Sequence, residues 1–430
     1  MRGKKKNIIP KIVEKVGGKK YLENWAKDVA KKVDRLRLHI NAALSYSPEI
    51  KRDFEEFLQA LREVINPSIT SEEAKSFLIQ HMITKPIFEA LFGEYDFLRQ
   101  NPVAQAIEQV ASHFTQFLKV ETEDLEEFYR EVQIRAQGVD EREKQEFLKE
   151  LYDSFFKTAF PDIAGKLGIV YTPVQIIDFI ISSVEEILHR EFNSSLNKPE
   201  TKILEPFAGT GTFVARLLQF LNPEDLRRKY TSGEIWANEI LLLAYYIGLA
   251  NLQSVYFEKT KEQRPFNYFL LTDTFQLYEQ TRKGIQPKLA IFPKEYTDLM
   301  MQETRESINV IISNPPWRAG QKDMTDLNMS DKYPLLDKRI KETYVDKSIS
   351  KNKNALYDSY VRAIRFASDR IGEKGVIAFV LNNGFIDANS FDGFRKSLVE
   401  EFEKIYIFNL RGNARTRGEE WQKEGGKIFG

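Results

Sequence analysis

Apolar positions change their period once along this chain. Up to about residue 165 they recur at three and four, as in Phe54, Phe57, Leu58 and Leu61, and again in Phe147, Leu151 and Phe155. That spacing lays one apolar stripe along an α-helix. Helix starts are marked as well. Thr70-Ser-Glu-Glu73 and Asp140-Glu-Arg-Glu143 fit capping boxes, and Asn101-Pro102 pairs an N-cap with proline at the first helical position. The pattern predicts an all-α packing domain over residues 21–165. It follows a basic tail, residues 1–20, that is either solvated or in contact with nucleic acid.

Beyond residue 165, short β-branched or aromatic runs alternate with amphipathic stretches. The predicted strands are Lys202–Leu204, Glu234–Asn238, Tyr268–Thr272, Asn309–Ser313, Gly375–Leu381 and Lys404–Asn409. Helices are expected at Thr212–Leu221, Leu241–Leu252, Ala355–Ile371 and Phe391–Glu401. Strand–helix alternation of this kind predicts a doubly wound α/β sheet over residues 166–430. Ligands of such sheets bind beyond the carboxyl ends of the strands, so the chemistry is expected there.

Composition narrows the choice by exclusion. The 430 residues carry 63 Lys plus Arg and 63 Asp plus Glu, so any nucleic-acid site must be a local patch. Hydrophobic residues make up 42%, enough for a sizeable core. The absence of cysteine removes disulfides, thiolate nucleophiles and cysteine metal sites. Four scattered histidines, His39, His81, His113 and His189, show no ligand spacing, and no metal is expected. No apolar run has the length of a signal peptide or membrane span. A soluble cytoplasmic protein is expected, with no membrane partner.

The first strand runs into Glu205-Pro-Phe-Ala-Gly-Thr-Gly-Thr212. Gly209 and Gly211 let a ligand approach the backbone where a helix begins. Val214 replaces the third glycine of a dinucleotide turn, and no lysine follows Gly211 as a P-loop requires. The acidic Glu205 favours a ligand bearing an ammonium group. Glu239, after the second strand, can accept both hydroxyls of a ribose. Asp273, after the third, can accept from an adenine amine while Phe275 packs on the ring; for either acid alone, a helix N-cap is the competing reading. Together they describe a bound adenosine.

The fourth strand runs straight into Asn314-Pro315-Pro316-Trp317. An adenine N6 amine is a poor nucleophile because its lone pair is delocalised into the purine. The Asn314 side-chain oxygen and the Pro315 carbonyl can bind its two hydrogens and favour a more tetrahedral nitrogen. The paired prolines stiffen the turn. Trp317 offers a face on which an extruded base can stack.

These motifs resemble adenine-N6 DNA methyltransferases of the gamma arrangement. Phe207-Ala208-Gly209-Thr210-Gly211 is similar to their Phe-x-Gly-x-Gly motif, and Asn314-Pro-Pro-Trp317 to their Asn/Asp-Pro-Pro-aromatic motif. Gly168-Ile-Val-Tyr171-Thr172-Pro173 resembles the cofactor-contacting motif that opens these enzymes. Glu205 stands where aspartate is commoner. The resemblance implies a Rossmann-like sheet and S-adenosylmethionine as cofactor, held by Tyr171, Thr172, Pro173, Glu205, Phe207–Thr212, Glu239, Asp273 and Phe275. It implies Asn314, Pro315, Pro316 and Trp317 as the catalytic group, with direct displacement at the sulfonium methyl. Double-stranded DNA is the implied substrate, with phosphate contacts expected from Arg318, Arg411, Arg415 and Arg417. RNA adenine or protein glutamine is the rival substrate, and a non-catalytic DNA- or cofactor-binding scaffold the rival class.

Gln80-His-Met-Ile-Thr-Lys-Pro-Ile-Phe88, Leu151–Lys157, Asn409–Thr416 and Lys427–Gly430 resemble type ISP restriction-modification enzymes more narrowly. There a nuclease and a helicase-like ATPase precede a helical coupler, the methyltransferase and a target-recognition domain. The expected partners are therefore target-recognition and helicase or nuclease modules of the same system. The methyltransferase fold is expected to be incomplete at its C-terminus, without a recognition domain. The charged segment Arg318–Lys353 is expected to be a long loop that orders around DNA. Weak, salt-sensitive DNA binding with little sequence discrimination is the corresponding expectation.

Overall fold

The computed structural model describes residues 19–92, 97–123, 126–136, 158–160, 172–284, 291–316 and 333–410. Residues 1–18 of the basic tail, the Asp140 capping box and Leu151–Lys157 lie outside these residues; the last two tail residues, Lys19 and Lys20, open the first helix instead.

The N-terminal part is helical: α1 Lys19–Tyr46, α2 Pro48–Val64, α3 Ser71–Phe92, α4 Pro102–Glu123 and α5 Glu126–Ala136. Local chemistry explains where these helices begin. Ser47 accepts from Ile50 N at 3.3 Å, with Pro48 next in line. The Thr70 box closes both ways: Thr70 Oγ1 accepts from Glu73 N at 3.2 Å, and Glu73 Oε2 accepts from Thr70 N at 2.9 Å. Asn101 Oδ1 accepts from Ala104 N at 2.9 Å, ahead of α4. The stripe read from the sequence faces inward, with Phe54, Phe57 and Leu61 buried.

The remainder alternates strand and helix: α6 Val174–Phe192, β1 Ile203–Glu205, α7 Thr212–Phe220, α8 Pro223–Ser232, β2 Ile235–Glu239, α9 Leu242–Thr260 and β3 Phe269–Leu271. It continues through α10 Thr274–Lys283, α11 Lys294–Arg305, β4 Val310–Ser313, α12 Pro334–Ile340, α13 Ser359–Arg370, β5 Val376–Phe379 and α14 Asp392–Glu401. The five-stranded sheet has the order β3-β2-β1-β4-β5. Pairing is parallel, with Glu239 opposite Leu271, Leu204 opposite Ile311, and Ser313 opposite Phe379. β1, β2 and β3 are buried throughout, as strands covered on both faces must be.

By compactness the chain divides into two units. The described residues of Met1–Lys166, Ala208–Asp273 and Gln286–Arg305 form one, and those of Leu167–Phe207, Thr274–Ile285 and Glu306–Gly430 the other. In the first unit, α3 packs on α9. His81 Nδ1 lies 2.9 Å from the Tyr246 hydroxyl, and Asn101 Nδ2 donates to the Tyr245 hydroxyl at 2.7 Å. Helix α9 runs eight residues past its expected end and buries polar as well as apolar positions, Gln253 and Ser254 among them, because it is covered on more than one side.

Gly248 on α9 makes this packing possible. A Cβ there would sit 2.2 Å from the Phe269 ring, and Gly248 Cα lies 3.2 Å from where a Cβ on Gly211 would be. Gly248→Ala should gain roughly 1 kcal/mol of helix propensity but lose more through overpacking, about 1–3 kcal/mol. A lowered thermal midpoint relative to the parent protein is expected in calorimetry; an unchanged or raised midpoint would show that the Phe269 ring yields freely.

In the second unit, Ile340, Tyr344, Leu356, Tyr360, Val361, Ile364, Phe391 and Phe394 make the core. Two expectations fail here. The charged segment Arg318–Lys353 is not a loop throughout. From Pro334 it is helical, and a π-helical turn at Lys341–Val345 carries Tyr344 into the core. Leu336, Ile340 and Tyr344 recur every four residues and are fully buried, a periodicity masked by the intervening charges. Residues 317–332 lie outside the description.

Lys404–Asn409 is the second correction. It forms no strand, and Ile405, Tyr406, Ile407 and Phe408 are exposed. Its side chains instead lie along α6. Tyr406 accepts from Arg190 Nη2 at 2.6 Å, Lys404 pairs with Glu191, and the Phe408 ring is 4.7 Å from that of Phe179. A β-type run becomes a strand only with a partner for its backbone, and none pairs with it among the described residues.

Candidate active site

In the first unit the sequence builds a polar cradle at two strand ends. After β1 the chain turns through Ala208–Gly211, with Gly209 at φ +55° and Gly211 at φ +71°, which favours glycine at both. Ala208 N donates to Asn238 O at 2.9 Å, and Gly211 N to Ala208 O at 2.8 Å. Asn251 of α9 donates to Thr210 O at 2.9 Å and braces the turn from the helix side. A Cβ at Gly209 would meet nothing within 4 Å, so this face of the turn is open to an incoming group. Thr212 opens α7, and its hydroxyl lies 3.3 Å from that of Thr210.

Glu239 is the last residue of β2 and is buried. One carboxylate oxygen accepts from Gly209 N at 2.8 Å, the other from Leu241 N at 2.7 Å. Burial pushes this carboxyl up to about 7, opposed by the backbone N–H groups of Leu241, Gly209 and Ile240. Asp273 follows β3 and is also buried; its Oδ2 accepts from Asn66 Nδ2 at 2.6 Å. Asn66 belongs to the turn between α2 and α3, and sequence reading gave no sign of it.

In the second unit Glu205 ends β1 and is buried. Pro206 O accepts from Thr274 Oγ1 at 2.5 Å, and Phe207 O from Ser313 Oγ at 3.3 Å. Phe275 is buried in an aromatic cluster, its ring 5.3 Å from Phe207 and 5.2 Å from Tyr333. Asn314 follows β4 directly, half-buried, with Pro315 buried and Pro316 half-buried behind it. Asn314 Nδ2 donates to Thr172 Oγ1 at 2.9 Å. Pro173 stands at the N-cap of α6, so the start of that helix places Thr172. Read from sequence as a cofactor residue, Thr172 is in the structure the partner of Asn314. Tyr171, Trp317, Arg318, Arg411, Arg415 and Arg417 lie outside the described residues.

The residues of the first unit suit an adenosine-bearing cofactor. An open glycine turn and a desolvated carboxylate at adjoining strand ends are the donor and acceptor set that a nucleoside requires. Among the described residues no group of three His, Asp or Glu could hold a metal, and no helix is long and apolar enough to cross a membrane.

Comparison with known proteins agrees with this geometry. Residues 21–144 match the family model of the type ISP restriction-modification enzyme coupler domain. Residues 226–415 match that of the Eco57I restriction-modification methylase. Among solved structures, a nuclease-deletion mutant of the type ISP enzyme LlaGI in complex with a DNA substrate mimic is 42% identical, with a TM-score of 0.85 over 98% of this chain and 34% of that one. The ATP-dependent type ISP enzyme LlaBIII bound to DNA is 41% identical, with a TM-score of 0.86 over 97% of this chain and 29% of that one. A DrdV–DNA complex is 34% identical, with a TM-score of 0.86 over 97% and 40%. No curated protein sequence matches. The chain thus spans between about three tenths and two fifths of the length of these relatives. Methylases of this family take their methyl group from S-adenosylmethionine, the cofactor the cradle suits. The coupler match, the methylase match and the identity to LlaGI and LlaBIII together show that this chain is similar, across its coupler and methylase regions, to type ISP restriction-modification enzymes.

Proposed function

We propose that this chain methylates adenine N6 in double-stranded DNA, in the cytoplasm of a prokaryote, as the modification activity of a restriction-modification system. The observation that carries the reading is Asn314 directly after β4, with its amide nitrogen committed to Thr172. That bond orients the amide so that Oδ1 is the atom to accept from an amine. The Pro315 carbonyl is the second acceptor, in a turn that two prolines make stiff. Accepting both amine hydrogens draws the nitrogen lone pair out of conjugation with the purine. When bound, S-adenosylmethionine supplies an electrophilic methyl group on a positively charged sulfur. Glu239 would hold the ribose, Asp273 the adenine edge and Gly209 the approach of the methionine end, with Glu205 toward its ammonium group. Trp317 would stack on the extruded base. Arg318, Arg411, Arg415 and Arg417 would contact phosphates.

DNA-bound relatives and the restriction-modification methylase match support DNA over other amine substrates. Target-recognition and helicase or nuclease modules are the partners proposed, on the same grounds. The deciding experiment incubates the full chain with tritiated S-adenosylmethionine and DNA, RNA or protein, and then digests the products. Label recovered as N6-methyladenine from DNA is the expected result. Label confined to RNA or to protein glutamine would overturn the substrate, and no transfer to any of them would favour a scaffold. Raising salt should depress transfer steeply if the arginines contact phosphates.

A further inference from the structure

We propose that Asn66, in the coupler region, is a positioning residue for the adenine end of the cofactor, so that the helical region builds part of the cofactor site. The inference rests on the assignment of Asp273 to the adenine edge.

The turn Ile65–Thr70 joins α2 to α3, and the last residue of α2 and the turn itself each make one bond to the end of β3. Thr272 Oγ1 donates to Val64 O at 2.9 Å, and Asn66 Nδ2 donates to Asp273 Oδ2 at 2.6 Å. Asn66, Thr272 and Asp273 are all buried, at 7%, 1% and 5% exposure. The orientation of the Asn66 amide follows from its neighbours. Its Oδ1 accepts from Ser68 N at 2.9 Å and from Ser68 Oγ at 2.7 Å, so the nitrogen is the atom facing Asp273. Ile69 N closes the turn onto Asn66 O at 3.1 Å, and Arg62 Nε ties Ile69 O at 2.9 Å. Asn66 therefore cannot turn away without breaking several bonds.

A short bond from a neutral amide to a carboxylate is charge-assisted and directional. Through Oδ2, the Asp273 carboxylate is oriented in part by a residue outside the methylase sheet. An acceptor aimed in this way selects for a six-amino purine and against a six-oxo purine, which would present an oxygen to it. Asn66 is hydrogen-bonded through both amide atoms and supplies a donor from the coupler region to this buried carboxylate. The coupler turn and cofactor binding are thereby linked: what disturbs the turn disturbs adenine recognition.

The test measures binding of S-adenosylhomocysteine and of its six-oxo analogue, S-inosylhomocysteine, to the full chain by calorimetry. Asn66→Ala should weaken S-adenosylhomocysteine about tenfold while changing the six-oxo analogue by no more than about twofold. The preference for the amino purine then shrinks. Equal weakening of both ligands, or of neither, would overturn the proposal, because a purely structural role moves both alike. Asp273→Ala separates the two assignments. If it leaves the preference intact, Asp273 is not at the adenine edge and the present inference falls with that reading. If it abolishes the preference but Asn66→Ala does not, only the role of Asn66 is wrong. Should Asn66→Ala fail to fold, Ser68→Ala removes one of the two donors that orient the amide. A reduced preference in that variant supports the proposal, and an unchanged preference overturns it.

Discussion

Asn314→Ala should lower the single-turnover rate of methyl transfer by roughly a hundredfold or more, with cofactor affinity almost unchanged. The size follows from where the amide acts. Polarising the target amine matters as the new bond to carbon forms, so its loss falls on the chemical step rather than on ground-state binding. Thr172 allows the same idea to be examined from a second side, because it touches Asn314 and is reached from a distant part of the chain. Thr172→Val keeps the shape and removes the hydroxyl, leaving the amide able to rotate away. A loss of roughly tenfold in turnover is expected, about the value of one hydrogen bond. Rapid-quench measurements with saturating cofactor report the chemical step directly. Near-normal transfer by Asn314→Ala would remove the residue from the mechanism. Weakened cofactor binding in Thr172→Val, with turnover intact, would return Thr172 to the cofactor group that the sequence motif suggests.

The second large effect concerns Glu239. Glu239→Ala should weaken S-adenosylmethionine by roughly ten- to a hundredfold, the cost of removing a charged acceptor worth about 1.5–3 kcal/mol. The pH dependence is the more specific expectation. Burial raises this carboxyl to about 7 in the protein without cofactor. Accepting two ribose hydroxyls favours the ionised form, so binding should lower that value and release a proton. Affinity should therefore fall as pH drops below about 7, by up to about tenfold per pH unit. Titration calorimetry at pH 6 and pH 8, in buffers of different ionisation enthalpy, measures both the affinity and the proton released. Pushed above its ordinary value of 4.5, the same carboxyl weakens the cofactor-free fold as pH rises from there toward 7. Glu239→Gln should flatten the pH dependence, though it sets an amide N–H₂ against one of the two backbone N–H groups now satisfied. An affinity independent of pH between 6 and 8 in the parent protein would place the ribose elsewhere.

Much of the architecture was readable from short stretches of chain. The Thr70 box and the Asn101 N-cap form as their spacing indicates, because donor and acceptor are three residues apart. Five of the six expected strands appear, each within a residue or two of its expected limits at the start. Glu205 and Glu239 prove to be the last residues of their strands rather than the first of the turns. The turn glycines and the Asn-Pro-Pro run after β4 were visible for the same reason: each is a contiguous motif whose chemistry depends on its own backbone.

What the amino-acid sequence determined by itself was thus the class of fold, the strand ends and the residue types gathered there. The tertiary structure alone decided which groups those residues meet. Asn66 lies 207 positions from Asp273, and Thr172 lies 142 from Asn314. No periodicity or local motif records a bond between residues so far apart, since hydrophobic pattern sets which face is buried but not which polar atoms meet inside. The same limit explains the three misreadings. Helix α9 has polar positions buried because α3 packs on it, Lys404–Asn409 pairs with no strand among the described residues, and Leu336, Ile340 and Tyr344 reached a core that their charged neighbours hid. Local propensity states what a segment can become, and the partner presented by the rest of the chain selects among those states.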